Sequence, residues 1–198
     1  MKDVIDDVDR WIERGDKVAL ATVVGIRRSA PRPPGAKMAI NDKGEISGMV
    51  SGGCVEGAVI QEAQEVLAGG PPRLLHFGVA DAEAWDVGLP CGGEIDVWVQ
   101  RHDPASPFAA AARADARAAE VTTLSGPELG SKRFVAADGA PGGLPLAETL
   151  MWAEHSELRG DVFVDVTFPK PRMLIFGAVD YADALCHLAR ACTAGARS

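Results

Sequence analysis

Two stretches of the chain share one spacing. In GAKMAINDKGEISG (35–48) and GSKRFVAADGAPGG (130–143), Gly35/Gly130, Lys37/Lys132, Gly44/Gly139 and Gly48/Gly143 stand at identical offsets. Each copy reads as a strand, a glycine turn and a return strand, because glycine takes positive φ without strain and closes tight hairpins. Either an internal duplication or simple convergence of glycine-rich hairpins accounts for the match. The first copy runs on into Ser51-Gly52-Gly53-Cys54, whereas the second continues as GLPLAETL. The hairpin itself therefore does not require the cysteine turn.

Around these hairpins the pattern mixes helices and strands. Val4, Ile5, Val8, Trp11 and Ile12 form one helical stripe, with acids at its start and Gly15 as a stop. KVALATVVGIR (17–27) reads as a buried strand, and RSAPRPPGAK has too many prolines to be a helix or a strand. The spacing then predicts a helix from about Cys54 to Gly69 and strands at 73–79 and 94–100. Beyond them come an alanine-rich helix (107–119), strands near 120–124 and 132–136, a helix at 146–156 and a strand at 161–166. The expected fold class is α/β, an α+β arrangement on a mixed sheet. The last segment, MLIFGA followed by Ala184, Leu185 and Leu188, reads as the first β-α of a Rossmann-like domain. The expected division is 1–102 and 103–167 as two halves of one domain, with 168–198 opening another.

Composition narrows the function. The 198 residues are 47% apolar and 24% charged, and 20 basic against 28 acidic side chains leave a net charge of −8. Nucleic acid and anionic membrane are disfavoured partners for such a chain. No apolar run reaches the roughly 18 residues of a membrane span, and the acidic N-terminus is unlike a secretory signal. A cytoplasmic protein with reduced Cys54, Cys91, Cys186 and Cys192 is expected.

Two cysteines carry the chemical interest. Gly52 and Gly53 leave backbone N–H groups open to a ligand, and the helix start beside Cys54 favours thiolate. That suits anion binding or a nucleophilic or sulfur-carrying cysteine, and equally a small buried residue at a tight turn. Cys91 likewise precedes Gly92 and Gly93. His76 is a further candidate ligand for a metal held by both cysteines, although a hydrogen-bonded core histidine is the commoner reading. Arg32 and Lys37 lie on the proline-stiffened loop, where a phosphate could pair with them, and Glu56 favours the helix dipole. In FGAVDYADA, Val179 replaces the second glycine of a dinucleotide fingerprint.

Together, SAPRPPGAKMAINDKGEISGMVSGGCVEGAV and DVGLPCGGEIDVWVQ resemble the XdhC/CoxI family, accessory factors for xanthine dehydrogenase and aerobic carbon monoxide dehydrogenase. The resemblance implies a two-part protein with an N-terminal cysteine-motif domain and a C-terminal Rossmann-like domain, of which this chain holds only the beginning. It also implies binding of the molybdenum cofactor, assistance to its sulfuration with a cysteine desulfurase, and delivery to an apo-molybdoenzyme, as a chaperone more than a turnover enzyme. Carried over by motif, Cys54 and Cys91 are the cofactor or sulfur contacts. Ser51, Gly52, Gly53, Gly92 and Gly93 would shape the backbone around them, with Arg32 and Lys37 as phosphate partners. The competing expectations are an NAD(P)-dependent oxidoreductase, resting on LIFGA alone, and a non-catalytic interaction module or homodimer.

Overall fold

The computed structural model describes residues 1–78, 92–137, 144–177 and 180–194. It divides into one unit from Met1 to Phe168 and a second from Pro169 to Ser198. The first begins with α1 (Ile5–Glu13), β1 (Val18–Arg27), β2 (Lys37–Asn41), β3 (Ile46–Gly48), α2 (Glu56–Leu67), β4 (Arg73–Phe77) and β5 (Glu94–Arg101). It continues with α3 (Pro107–Arg113), β6 (Ala118–Thr123), β7 (Lys132–Ala136), α4 (Pro145–Trp152), β8 (Glu157–Arg159) and β9 (Val162–Thr167). The second unit contributes α5 (Asp180–Ala194). This is the α/β mixture that the sequence predicts, but in place of one mixed sheet there are two, and every described strand pair is antiparallel.

The two hairpins of matching sequence occupy matching places in two sheets. One sheet runs β3-β2-β1-β5-β4 and the other β7-β6-β9-β8. Setting β3 aside, both halves repeat helix, two strands, helix, two strands, with the same neighbours. The match holds at single hydrogen bonds. Gly35 N–H donates to the Val23 carbonyl at 2.8 Å, and Gly130 N–H donates to that of Thr123 at 2.8 Å. Thr22 then faces Lys37, and Thr122 faces Lys132. Across the central strands, Trp98 lies opposite Thr22 and Phe163 opposite Thr122.

These equivalent positions meet where the sheets pack. Val24 and Trp98 of one sheet form a buried cluster with Leu124 and Phe163 from the other half. A cavity of about 20 Å³ beside them is lined by Thr22 and Thr122, Lys37 and Lys132, among others. The packing is quasi-isologous, the same patch used twice, as in a two-fold dimer. α2 covers the far face of the first sheet over Val23, Met38, Ile40 and Val97, and α4 covers that of the second over Ala119, Val121 and Val164. β1 is buried on both faces, which explains its nearly continuous apolar run. Burying a side chain such as Ile40 or Ile95 contributes roughly 1.5–3 kcal/mol.

The structure departs from the expected elements in several places. The alanine-rich helix ends at Arg113, because Asp115 takes a left-handed φ of 54° and Ala118 pairs with both Ala136 and Thr167. Alanine's helix propensity is a weak prior, overridden here by two neighbouring strands. β8 is only three residues long and has no signal in the sequence. Residues 171–176 form no strand, while the helix after them does form as α5. A strand requires a partner, and none is present among the described residues. Among those residues no helix is long and apolar enough to cross a membrane.

Candidate functional site

The turn after β3 is an anion nest that already holds an anion. Glu56 opens α2, and its carboxylate turns back to accept N–H groups from Val50 (3.2 Å), Ser51 (2.8 Å), Gly52 (3.2 Å), Gly53 (2.9 Å) and Val55 (3.2 Å). Ser51 Oγ donates to the same carboxylate and accepts from the N–H groups of Cys54 (3.0 Å) and Val55 (3.1 Å). All six N–H groups from Val50 to Val55 are thereby satisfied. Burial pulls the Glu56 carboxyl upward, but the Ser51 hydroxyl and the backbone N–H groups of Ser51, Glu56 and Gly53 outweigh it. Its pKa falls below the usual glutamate value.

This geometry corrects the reading of the turn as an open anion site. Ser51 is buried and its hydroxyl is engaged inside the turn, so it is a support rather than a ligand contact. Gly52 and Gly53 have φ of +82° and +113°, and a Cβ on Gly53 would meet nothing within 4 Å. Both glycines therefore take a backbone conformation that other residues rarely adopt. Cys54 stands exposed at the rim of this braced turn as a free thiol.

The proline-stiffened loop joins the two glycine stretches. Arg28 Nη1 donates to the Gly92 carbonyl at 3.4 Å. Three residues on, Pro31 lies 3.8 Å from where a Gly52 Cβ would stand. Arg28 itself has a left-handed φ of 65°. Gly92 likewise has positive φ (+71°) and Gly93 is buried at the entry to β5. Cys91 lies outside the described residues.

The two proposed phosphate partners part company. Arg32 is half-exposed, donates to Asp3 Oδ2 at 3.0 Å and lines a groove of about 290 Å³ with Pro33, Pro34 and Phe168. Lys37 is 3% exposed, pairs with Asp165 of the other sheet and donates to Thr22 Oγ1 at 3.2 Å. A phosphate cannot reach it without separating the sheets, so Lys37 is a structural cation and that expectation is corrected.

His76 also departs from expectation. It is hydrogen-bonded but not a core residue, its side chain being 54% exposed on the edge strand β4, where Nδ1 lies 2.7 Å from Asp96 Oδ1. Among the described residues no three His, Cys, Asp or Glu side chains converge as a metal site. Sequence reasoning missed Asp96 and the carboxylate-filled turn. One signal was available for Asp96: Gly25, isolated in the middle of an apolar strand, marks a bulge or a close approach.

Comparison with known proteins adds four findings. Residues 11–78, which include Arg32, Lys37 and the Cys54 turn, match the model of the XdhC and CoxI family. The chain is 40% identical over 97 residues to the molybdenum cofactor insertion chaperone PaoD of Escherichia coli (strain K12), covering 48% of this chain and 30% of PaoD. It is 26% identical over 183 residues to a probable xanthine dehydrogenase subunit of Bacillus subtilis (strain 168), covering 86% of this chain and 56% of that one. Among solved structures, the crystal structure of a xanthine dehydrogenase from Bacillus halodurans shares the fold, with a TM-score of 0.67 at 24% identity over 96% of this chain and 59% of the other. The chain thus spans between about a third and three-fifths of the length of these relatives.

Proposed function

We propose, from the premise that residues 11–78 match the XdhC and CoxI family, that the protein holds the molybdenum cofactor and passes it to an apo-molybdoenzyme. On this reading it is an accessory chaperone rather than a turnover enzyme. The observation that carries the proposal is Cys54. It is an exposed thiol on a turn whose six N–H groups are all engaged, inside the segment that matches the family. A braced turn presents a soft sulfur ligand with little motion left to lose on binding. The likeness to a named molybdenum cofactor insertion chaperone supports the same cargo.

In finer detail, Cys54 and Cys91 are the cofactor contacts, with Gly52, Gly53, Gly92 and Gly93 setting the backbone between them. Arg32 is the cation left for the pterin phosphate, at half-exposure and already held by Asp3. The recipient is an enzyme of the xanthine dehydrogenase or aerobic carbon monoxide dehydrogenase type. Sulfuration would place a sulfane sulfur from a cysteine desulfurase on one of the two thiols.

The test is an anaerobic titration of the purified chain with molybdenum cofactor, measuring molybdenum and pterin retained after desalting. Stoichiometric retention is expected, with a loss of roughly tenfold or more in affinity for Cys54→Ala, about 1.4 kcal/mol. A well-folded chain that retains neither molybdenum nor pterin overturns the proposal.

A further inference from the structure

The seam between the two sheets is more polar than packing alone requires. Thr22, Lys37, His102, Glu120, Thr122 and Asp165 are all buried there, and all six line the cavity of about 20 Å³.

The equivalence of the halves locates what differs between its two sides. Gln100 lies opposite Leu20, and Asp165 opposite Glu120, so at these matching positions both acids belong to the second half. Lys37 has Leu20 where Lys132 has Glu120, and it crosses to Asp165, its ammonium also donating to Thr22 Oγ1 at 3.2 Å. By the same equivalence Lys132 has only the uncharged amide of Gln100 across the seam. Its ammonium is engaged by Glu120 of its own sheet at 2.8 Å, rather than by Thr122 and Gln100, the counterparts of Thr22 and Asp165.

Two polar atoms along the cavity are unmatched. Trp98 Nε1 and His102 Nε2 are buried and meet no hydrogen-bond partner among the described residues, and both side chains belong to residues that line the cavity. Buried polar groups are as a rule bonded, to protein or to ordered water. An indole N–H can only donate, whereas a neutral imidazole nitrogen accepts or donates according to its tautomer. His102 is neutral near pH 7, because burial and the nearby Arg113 and Lys132 push its pKa down to about 4.

Size and charge select the ligand. A water needs about 10–15 Å³ and two to four polar partners, so the cavity admits one molecule of that size and nothing much larger. An anion would lie against Glu120 and Asp165, and a metal cation against Lys37, Lys132 and the indole N–H. A neutral molecule that both donates and accepts meets neither cost.

We propose that the cavity is a hydration site, where one internal water takes the place beside Thr122 and Gln100 that the Lys37 ammonium takes beside Thr22 and Asp165. The lining offers it the Trp98 N–H as donor, and Thr122 Oγ1, the Gln100 carbonyl and His102 Nε2 as acceptors. The two halves are thus joined on one side of their pseudo-two-fold by an ion pair and on the other by a solvent molecule. Nothing in this site depends on the cofactor reading.

The experiment is oxygen-17 magnetic relaxation dispersion, which counts waters that tumble with the protein and is blind to protein hydroxyls. It compares wild type with Thr122→Ile, which fills the cavity, and Gln100→Leu, which removes the amide. The dispersion amplitude is expected to fall by about one water in each variant. In nitrogen-15-labelled wild type, the Trp98 indole N–H, assigned by its loss in Trp98→Phe, is expected to show water cross-peaks of opposite sign in NOE and ROE spectra. Proton exchange would give the same sign in both. An amplitude unchanged in either folded variant, or an indole N–H without cross-peaks of opposite sign, overturns the proposal. Gln100→Leu alters a half-buried side chain and carries the dispersion test alone should Thr122→Ile fail to fold.

Discussion

Glu56 closes a loop of chain onto itself with a single carboxylate. Five backbone donors and the Ser51 hydroxyl converge on it, and charge-assisted bonds of this kind are the stronger ones. Glu56→Gln keeps the shape but loses the charge and exchanges one acceptor for a donor that faces N–H groups. The expected loss is about 1–3 kcal/mol, read from urea unfolding at neutral pH. The pH dependence follows from the depressed carboxyl of Glu56. A group with a lowered folded pKa gives stability that is present above its unfolded value, here 4.5, and lost as pH falls through the folded one. The gap between wild type and Glu56→Gln should therefore narrow progressively below that value. A gap that stays constant across the acid range would show that the carboxylate's charge is not what braces the turn. In the sequence Glu56 resembles an ordinary acid in a first helical turn, because nothing in its spacing tells that its side chain bends back over five residues. The glycines are legible as a special turn, but not the anion that fills it.

At the scale of elements, the most informative residue is Gly25. β1 is recognisable from its β-branched run, as are β2, β5 and α2 from their periodicity. The interruption at Gly25 sets the bulge that lets Asp96 lie flat and hold His76. Gly25→Ala brings a methyl to 2.5 Å from a carboxylate oxygen. The expected cost is about 1–3 kcal/mol in unfolding free energy, as for other overpacked sites. The same variant should change the His76 ring tautomer seen by nitrogen NMR, which simple destabilisation would leave alone. An unaltered tautomer would mean that Asp96 finds another way to His76. β8 and the early end of α3 could not be read from the sequence. A three-residue strand has no period to detect, and Ala118 and Ala119 belong to a strand only because β7 and β9 flank them.

On the scale of the whole first unit, the two sheets are joined through equivalent residues with one asymmetry that matters. Lys37 of the first half reaches across to Asp165 of the second, both side chains less than a tenth exposed. The equivalent Lys132 stays within its own sheet, on Glu120 at 2.8 Å. His102 lies beside the same cavity. Burial and the nearby Arg113 and Lys132 push its pKa down to about 4, so it is neutral there near pH 7. Lys37→Met deprives Asp165 of its ion-pair partner and should cost about 3–5 kcal/mol, whereas Lys37→Met with Asp165→Leu should recover most of that loss. A double-mutant cycle on unfolding free energies measures the coupling, and simple additivity would show that the pair does not join the sheets. The shared spacing of 35–48 and 130–143 is visible in the sequence. That it extends to sheet order and packing is not, because the remaining equivalences, such as Trp98 with Phe163 and Val24 with Leu124, preserve bulk rather than identity. Symmetry of that kind would normally furnish two copies of any surface feature. Here the second copy goes from its hairpin to Pro145 with no counterpart of Cys54, so the first unit is a pair in architecture and single in its exposed cysteine turn.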